Sequence, residues 1–102
     1  MRVLMFMNHS PTIASIQDTE GRYLWANMTM QDRFCSKVIG STESAIMGNS
    51  SGRQEAKQRV AETGNSESTI EEIRVGGSSS YWLFMWFKML DRTGLPLLGC
   101  IS

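Results

Sequence analysis

The sequence predicts an α+β domain built around an antiparallel sheet. Three observations point there. Asp-x-x-Gly stands between apolar, strand-prone runs at Asp18–Gly21 and again at Asp91–Gly94. Between these two signals, from Met28 to Gly64, the pattern changes to helical spacing with capping residues. After that, Tyr81–Leu90 forms the most hydrophobic run of the chain.

Taken in order, Val3–Met7 is a short apolar block closed by Pro11, which pushes Ser10 out of the helical region. It predicts a short helix, with a strand as the alternative. Thr12–Gln17 alternates as a strand does, and Arg22–Asn27 is a second strand rich in aromatics. Asp18 and Gly21 join them into a hairpin, because Asp bonds backbone amides two residues on and Gly accepts positive φ. MTMQDRF predicts a short helix and Val38-Ile39-Gly40 a stop. STESAIM predicts another helix, opened by Ser41 or Thr42.

The longest helix runs through NSSGRQEAKQRVAETG, capped by Asn49, Ser50 or Ser51 and ended by Gly64. Glu55 and Arg59 stand at i,i+4, and Ala56, Val60 and Ala61 make a thin apolar stripe. Ser68–Val75, Tyr81–Leu90 and Leu95–Ser102 close the chain as strands, with GGSSS and DRTG as connections. Glu71 and Glu72, adjacent in a strand, point to opposite faces and cannot act as a pair.

The chain has 102 residues, enough for one core and one domain, 1–102. Ten basic residues balance ten acidic ones, scattered along the sequence, so there is no electrostatic footprint for nucleic acid. The N-terminal apolar run is far shorter than the roughly 20 residues that span a bilayer, and no direct membrane insertion is expected. Two cysteines, Cys35 and Cys100, make no disulfide framework and have no metal-ligand spacing. A cytoplasmic location is the expectation.

The element order and the residues within it resemble the PAS domain family over nearly the whole chain. NHSPTIASIQDTEGRYLWAN is similar to the family's opening Ser-Pro, strand, Asp-x-x-Gly turn and strand ending in Asn. Val38-Ile39-Gly40, VAETG at 60–64 and YWLFMWFKMLDRTGLPLLGCIS resemble later landmarks. The resemblance implies a PAS-like α+β fold, a five-stranded antiparallel sheet with short helices over one face. Residues 1–11 would form an N-terminal helical cap and 12–102 the PAS core. It also implies a signal-input role upstream of a histidine kinase, a cyclic-dinucleotide enzyme or a transcription regulator.

The family's usual inward face would direct Ser15, Gln17, Trp25, Trp82, Phe84 and Trp86 at the helices. Met30, Phe34, Met47 and Val60 would meet them from above. Such a set, apolar with a few polar groups, has the composition of a small-molecule pocket. Bulky Trp and Phe side chains are equally able to fill the space, leaving an interaction module with a solid core. A slip of one residue in the last two strands would exchange the inward and outward sets.

The opposite face of the Tyr81–Met89 strand is also apolar and needs a cover, for which the Val3–Met7 segment, another subunit, or both are the candidates. Leu83, Met85 and Phe87, together with Val3, Leu4 and Phe6, are the candidate homodimer interface. As for cofactors, none is named. Relatives that bind haem use a histidine on the central helix, and this helix has none. The photosensory flavin relatives carry a cysteine just after the Gly that ends the first helices, whereas Cys35 precedes Gly40. His9, the lone histidine, reads as a partly exposed cap and gives no metal site. No nucleophile–base set is visible, so an enzyme is not expected.

Overall fold

Each Asp-x-x-Gly forms the tip of a hairpin. The computed structural model describes residues 12–75 and 77–102. Strands β1 (Ala14–Gln17) and β2 (Tyr23–Ala26) are joined by a turn in which the Asp18 carboxylate accepts from two backbone amides. These are the N–H groups of Glu20 at 2.9 Å and Arg22 at 3.0 Å, and Gly21 takes φ +84°. β4 (Ser78–Leu90) and β5 (Pro96–Ile101) repeat the device. Asp91 accepts from the amides of Thr93 at 2.8 Å and Leu95 at 3.0 Å. β3 (Glu67–Val75) pairs with β4 along its length, and β4 already begins within the expected GGSSS connection.

The five strands form one antiparallel sheet in the order β2-β1-β5-β4-β3. The last strand is therefore central. Ser15 lies opposite Cys100, Gln17 opposite Leu98, and Trp86 opposite Cys100, so these side chains share one face. That face is buried under the helices. Ile16, Phe87 and Met85 belong to the other face, opposite Gly99, Gly99 and Ile101.

The register overturns the expected inward placement of Trp25. A β-bulge shifts the β1–β2 pairing between Ile16 and Gln17: Trp25 pairs with Ile16, and Tyr23 with Gln17. The extra residue, Leu24, lets Tyr23 turn inward and leaves Trp25 on the outer face. Tyr23 is the fully buried aromatic of this hairpin.

Among the described residues, three helices cross the inner face. Helix α1 (Met28–Arg33) is capped by Asn27, whose side-chain oxygen accepts from the Met30 amide at 3.0 Å. Helix α2 (Glu43–Met47) is capped by Thr42, and α3 (Ser51–Thr63) by Ser50. Each cap satisfies an amide that the first helical turn leaves without a partner. α3 ends at Gly64 in the left-handed conformation, φ +76° and ψ −2°. Lys88 reaches back to donate to the Ala61 carbonyl of its last turn at 3.1 Å. Arg59, expected beside Glu55, instead turns to Glu67 of β3: its Nε–H is shared between the two carboxylate oxygens, both at 2.9 Å, and its Nη2 lies 2.8 Å from Oε1.

The core has two lobes. One gathers Ala56 and Val60 of α3 against Phe84, Trp86, Leu98 and Cys100 of the sheet. The other gathers Ile13, Tyr23, Ala26, Met30 and Val38. Phe34, Met47 and Trp82 pack against both. Residues 1–11 lie outside the described residues, and with them the expected N-terminal cap, His9, and Val3, Leu4 and Phe6.

Candidate functional site

Nine of the ten expected pocket residues gather between the helices and the sheet. Ser15, Gln17, Met30, Val60, Phe84 and Trp86 are buried there. Phe34, Met47 and Trp82 are half-buried. Trp25 stands on the far side of the sheet. Phe84 and Trp86 stack at 5.8 Å with 16° between their planes and form an aromatic floor. Trp82 lies 5.9 Å from Phe34, with the Arg33 guanidinium 5.6 Å from its ring.

Over that floor lies a charged cluster that the sequence reading does not contain. Arg53 and Lys57 of α3 and Glu43 of α2 are all buried. Arg53 Nε donates to Glu43 Oε2 at 3.0 Å, and Lys57 Nζ to Glu43 Oε1 at 3.3 Å. Gln17 links the cluster to the sheet. Its Nε2 donates to Glu43 Oε1 at 2.8 Å, and its Oε1 accepts from Lys57 Nζ at 3.0 Å. Arg53 Nη2 also donates to the Gly48 carbonyl at 2.6 Å, fixing the loop between α2 and α3. The cations rest on the floor, Arg53 5.9 Å from the Phe84 ring and Lys57 5.6 Å from that of Trp86. Cations over aromatic faces are favoured by the ring quadrupole, more so when shielded from water.

The positions of these residues follow from local rules. Arg53, Ala56, Lys57 and Val60 fall at i, i+3, i+4 and i+7, one stripe of a single helix face. Glu43 is the first residue of α2, and Thr42 places it by capping. The missed signal was that charges occupy half of α3's inward stripe.

Charge and burial act on the neighbours. Burial pushes the Tyr23 phenol well above its ordinary range, and the Glu43 carboxylate adds to the shift. The Cys100 thiol is raised by the same two causes. Neither is a nucleophile at neutral pH. Cys35, the other thiol, is exposed. The indole Nε1 of Trp86 and the hydroxyl of Thr69 are buried with no hydrogen-bond partner among the described residues.

A cleft of about 320 Å³ opens beside the cluster, between the β1–β2 turn and α3. Glu20, Gly21, Gln54, Lys57, Glu62 and Leu98 are among its walls. A smaller one of about 120 Å³ shares Glu20, Gly21, Gln54 and Lys57, and reaches Glu43. A wider depression of about 560 Å³ lies elsewhere, along exposed Tyr81, Leu83 and Met85, where Thr12 meets the sheet. Among the described residues no group of His, Cys, Asp and Glu is placed to hold a metal ion, and no helix is long and apolar enough to cross a membrane.

The architecture, five antiparallel strands with short helices on one face, is the PAS fold. Solved PAS domains match it across nearly the entire chain. The PAS domain of nitrogen regulation protein NR(II) from Vibrio parahaemolyticus superposes with a TM-score of 0.76 at 13% identity, covering 100% of this chain and 97% of that one. VqmA bound to DPO gives 0.80 at 15% identity, over 99% of this chain and 56% of that one. The Vibrio cholerae VqmA dimer, described as a LuxR-type receptor, gives 0.80 at 15%, over 99% and 49%. The chain thus spans about half the length of these VqmA structures. No family model matches the sequence, and no curated protein does.

Proposed function

We propose that this chain is the signal-input domain of a larger cytoplasmic signalling protein, such as a histidine kinase, a cyclic-dinucleotide enzyme or a transcription regulator. A small molecule bound between helices and sheet shifts the packing of α2 and α3, and through the sheet the geometry of a homodimer. The domain itself catalyses nothing in this reading.

The observation that carries the proposal is the buried cluster of Glu43, Arg53, Lys57 and Gln17 against the Phe84–Trp86 floor. As a device for stability alone it is a poor choice. Replacing a buried ion pair with packed apolar side chains is often neutral or stabilising by about 1–4 kcal/mol. As a recognition site it has the right parts: a few convergent polar groups on a mostly apolar wall. The Trp86 N–H, without a partner among the described residues, adds a donor that a ligand acceptor would satisfy. VqmA, which this fold matches, has been solved bound to DPO, and that supports a small-molecule role for this domain.

Native mass spectrometry of the purified chain tests this reading. Extra mass that is lost on denaturation is the expected result. If dimer geometry and the output of the parent protein stay the same after every retained small molecule is removed, the ligand mechanism is wrong.

The outer sheet face favours a second reading, a ligand-free dimerisation module. Leu83 and Met85, both 51% exposed, lie on it beside Tyr81 at 77%. A clean dimer without extra mass selects that alternative.

A further inference from the structure

The charges around Lys57 go beyond the claim of a small-molecule site. The buried cluster holds two cations, Arg53 and Lys57, on one carboxylate, Glu43, leaving one formal positive charge in excess. A buried charge is costly unless it is paired and hydrogen-bonded. Lys57 Nζ has three N–H donors, and the described residues supply two oxygen acceptors, Gln17 Oε1 and Glu43 Oε1.

The ammonium is also reachable. Lys57 lines both clefts. Gly21 stands over it without a side chain, and a Cβ there would come within 3.6 Å of Nζ. The rim carries the opposite sign. Glu20 and Glu62 line the mouth of the larger cleft, and the exposed Glu20 carboxylate has no hydrogen-bond or ionic partner among the described residues. Glu62 accepts a single bond, from Gln58 Nε2 at 3.1 Å. Between floor and rim, Gln54 contributes an amide while Ala61 and Leu98 contribute apolar wall.

A cation at the floor and carboxylates at the mouth of one cleft complement a small molecule that carries both signs. We infer that the cleft between the β1–β2 turn and α3 binds a compact zwitterion of the free amino acid class. Its carboxylate would take the third N–H of Lys57, its ammonium would face Glu20 and Glu62, and its side chain would lie toward Leu98. An anion alone would be repelled at the rim, and a cation alone by the cluster's surplus charge. A volume of about 320 Å³ stands at the small end of the ~300–1,000 Å³ range of ligand pockets, which restricts the occupant's size. This inference rests on the sensor reading above and names the ligand class for it.

Thermal-shift and calorimetric titration of the whole chain with the twenty free amino acids tests it. At least one should bind saturably. Its carboxamide, which lacks the carboxylate, and its 2-hydroxy acid, which lacks the ammonium, should each bind about tenfold or more weakly. Lys57→Met should weaken binding on the order of a hundredfold. Because that variant disturbs the buried cluster, Glu20→Gln at the exposed rim gives an independent readout, with affinity down roughly threefold. Binding of the carboxamide as tight as that of the amino acid overturns the inference, as does an affinity untouched by Glu20→Gln. If no amino acid binds while native mass spectrometry finds another retained molecule, the zwitterion is wrong and the sensor reading stands. If neither is found, both fail.

Discussion

The ring of Phe87 occupies the space that a side chain at Gly99 would need. A Cβ at position 99 would clash with Cε2 and Cζ of the Phe87 ring, across the β4–β5 pair. An aromatic over a strand glycine covers backbone that the glycine leaves bare. Gly99→Ala should therefore force the ring off the sheet and cost roughly 1–3 kcal/mol, as overpacking does. In a Phe87→Ala background the same substitution should cost far less. A double-mutant cycle by urea denaturation reads the coupling. Additive effects of the two changes would show that the ring moves aside freely.

Among the described residues Glu43 is the only carboxylate in the buried cluster, held by Arg53, Lys57 and Gln17. Glu43→Ala strands two cations in the interior, and breaking a buried pair in this way costs about 3–5 kcal/mol. Adding Arg53→Met and Lys57→Met should recover most of the loss, since the triple variant leaves no unpaired charge. Denaturant midpoints of the single and triple variants check this. A single-variant loss below about 1 kcal/mol would mean that water reaches the cluster and screens it.

The hairpins, two of the caps and the order of elements along the chain were legible because each is written locally. Asp18 and Asp91 build their turns from amides within four residues, and Thr42 and Ser50, both among the expected caps, stand directly before their helices. The alternation of β4 was legible too, since unbroken pairing carries it from Trp82 to Trp86, but which side of it faces inward came from the family resemblance and not from the residues. Trp25 was not. A bulge adds one residue to β2, and alternation read along the sequence cannot see it. The buried cluster was also hidden, because its bonds join residues 10 to 40 positions apart. On a sequence, Arg53 and Lys57 look like the solvent face of a helix. Only the approach of α2 places a carboxylate between them.

Tyr23 and Cys100 set the alkaline limit of the fold. Burial, and then the nearby Glu43 charge, raises both pKa values above their ordinary ones of 10.0 and 9.0. Each group holds its proton more tightly in the folded state than in the unfolded one. The stability it contributes is complete below the unfolded pKa and is lost as pH rises above it. Denaturation midpoints should thus be level near neutrality, decline from about pH 9 through Cys100, and fall more steeply above pH 10 through Tyr23. Tyr23→Phe should remove the steeper part. The same burial predicts that iodoacetamide modifies Cys35 in the native protein and spares Cys100 until the chain is denatured. Native labelling at both thiols would place Cys100 in contact with solvent.

Leu83 sits at the centre of the exposed outer face, opposite Ile70 of β3 and two residues from both Tyr81 and Met85. Exposures of 51% for Leu83 and 71% for Ile70 leave a broad apolar surface on the side of the sheet away from the described helices. Contiguous apolar surface of this kind marks an interaction site on a soluble domain. Leu83→Glu would place a charge in the middle of it. The side chain is half-exposed, so the folded monomer should change in stability by only about 0.5 kcal/mol, while a homodimer using this face would have to bury an unpaired carboxylate. Sedimentation over a concentration series should show the wild type associating and Leu83→Glu remaining monomeric. Phe87→Glu should do the same, with an added stability loss because its ring covers Gly99. A wild type that is monomeric at every concentration would remove the dimer from the proposed mechanism. A Leu83→Glu variant that still dimerises would move the interface off this face of the sheet.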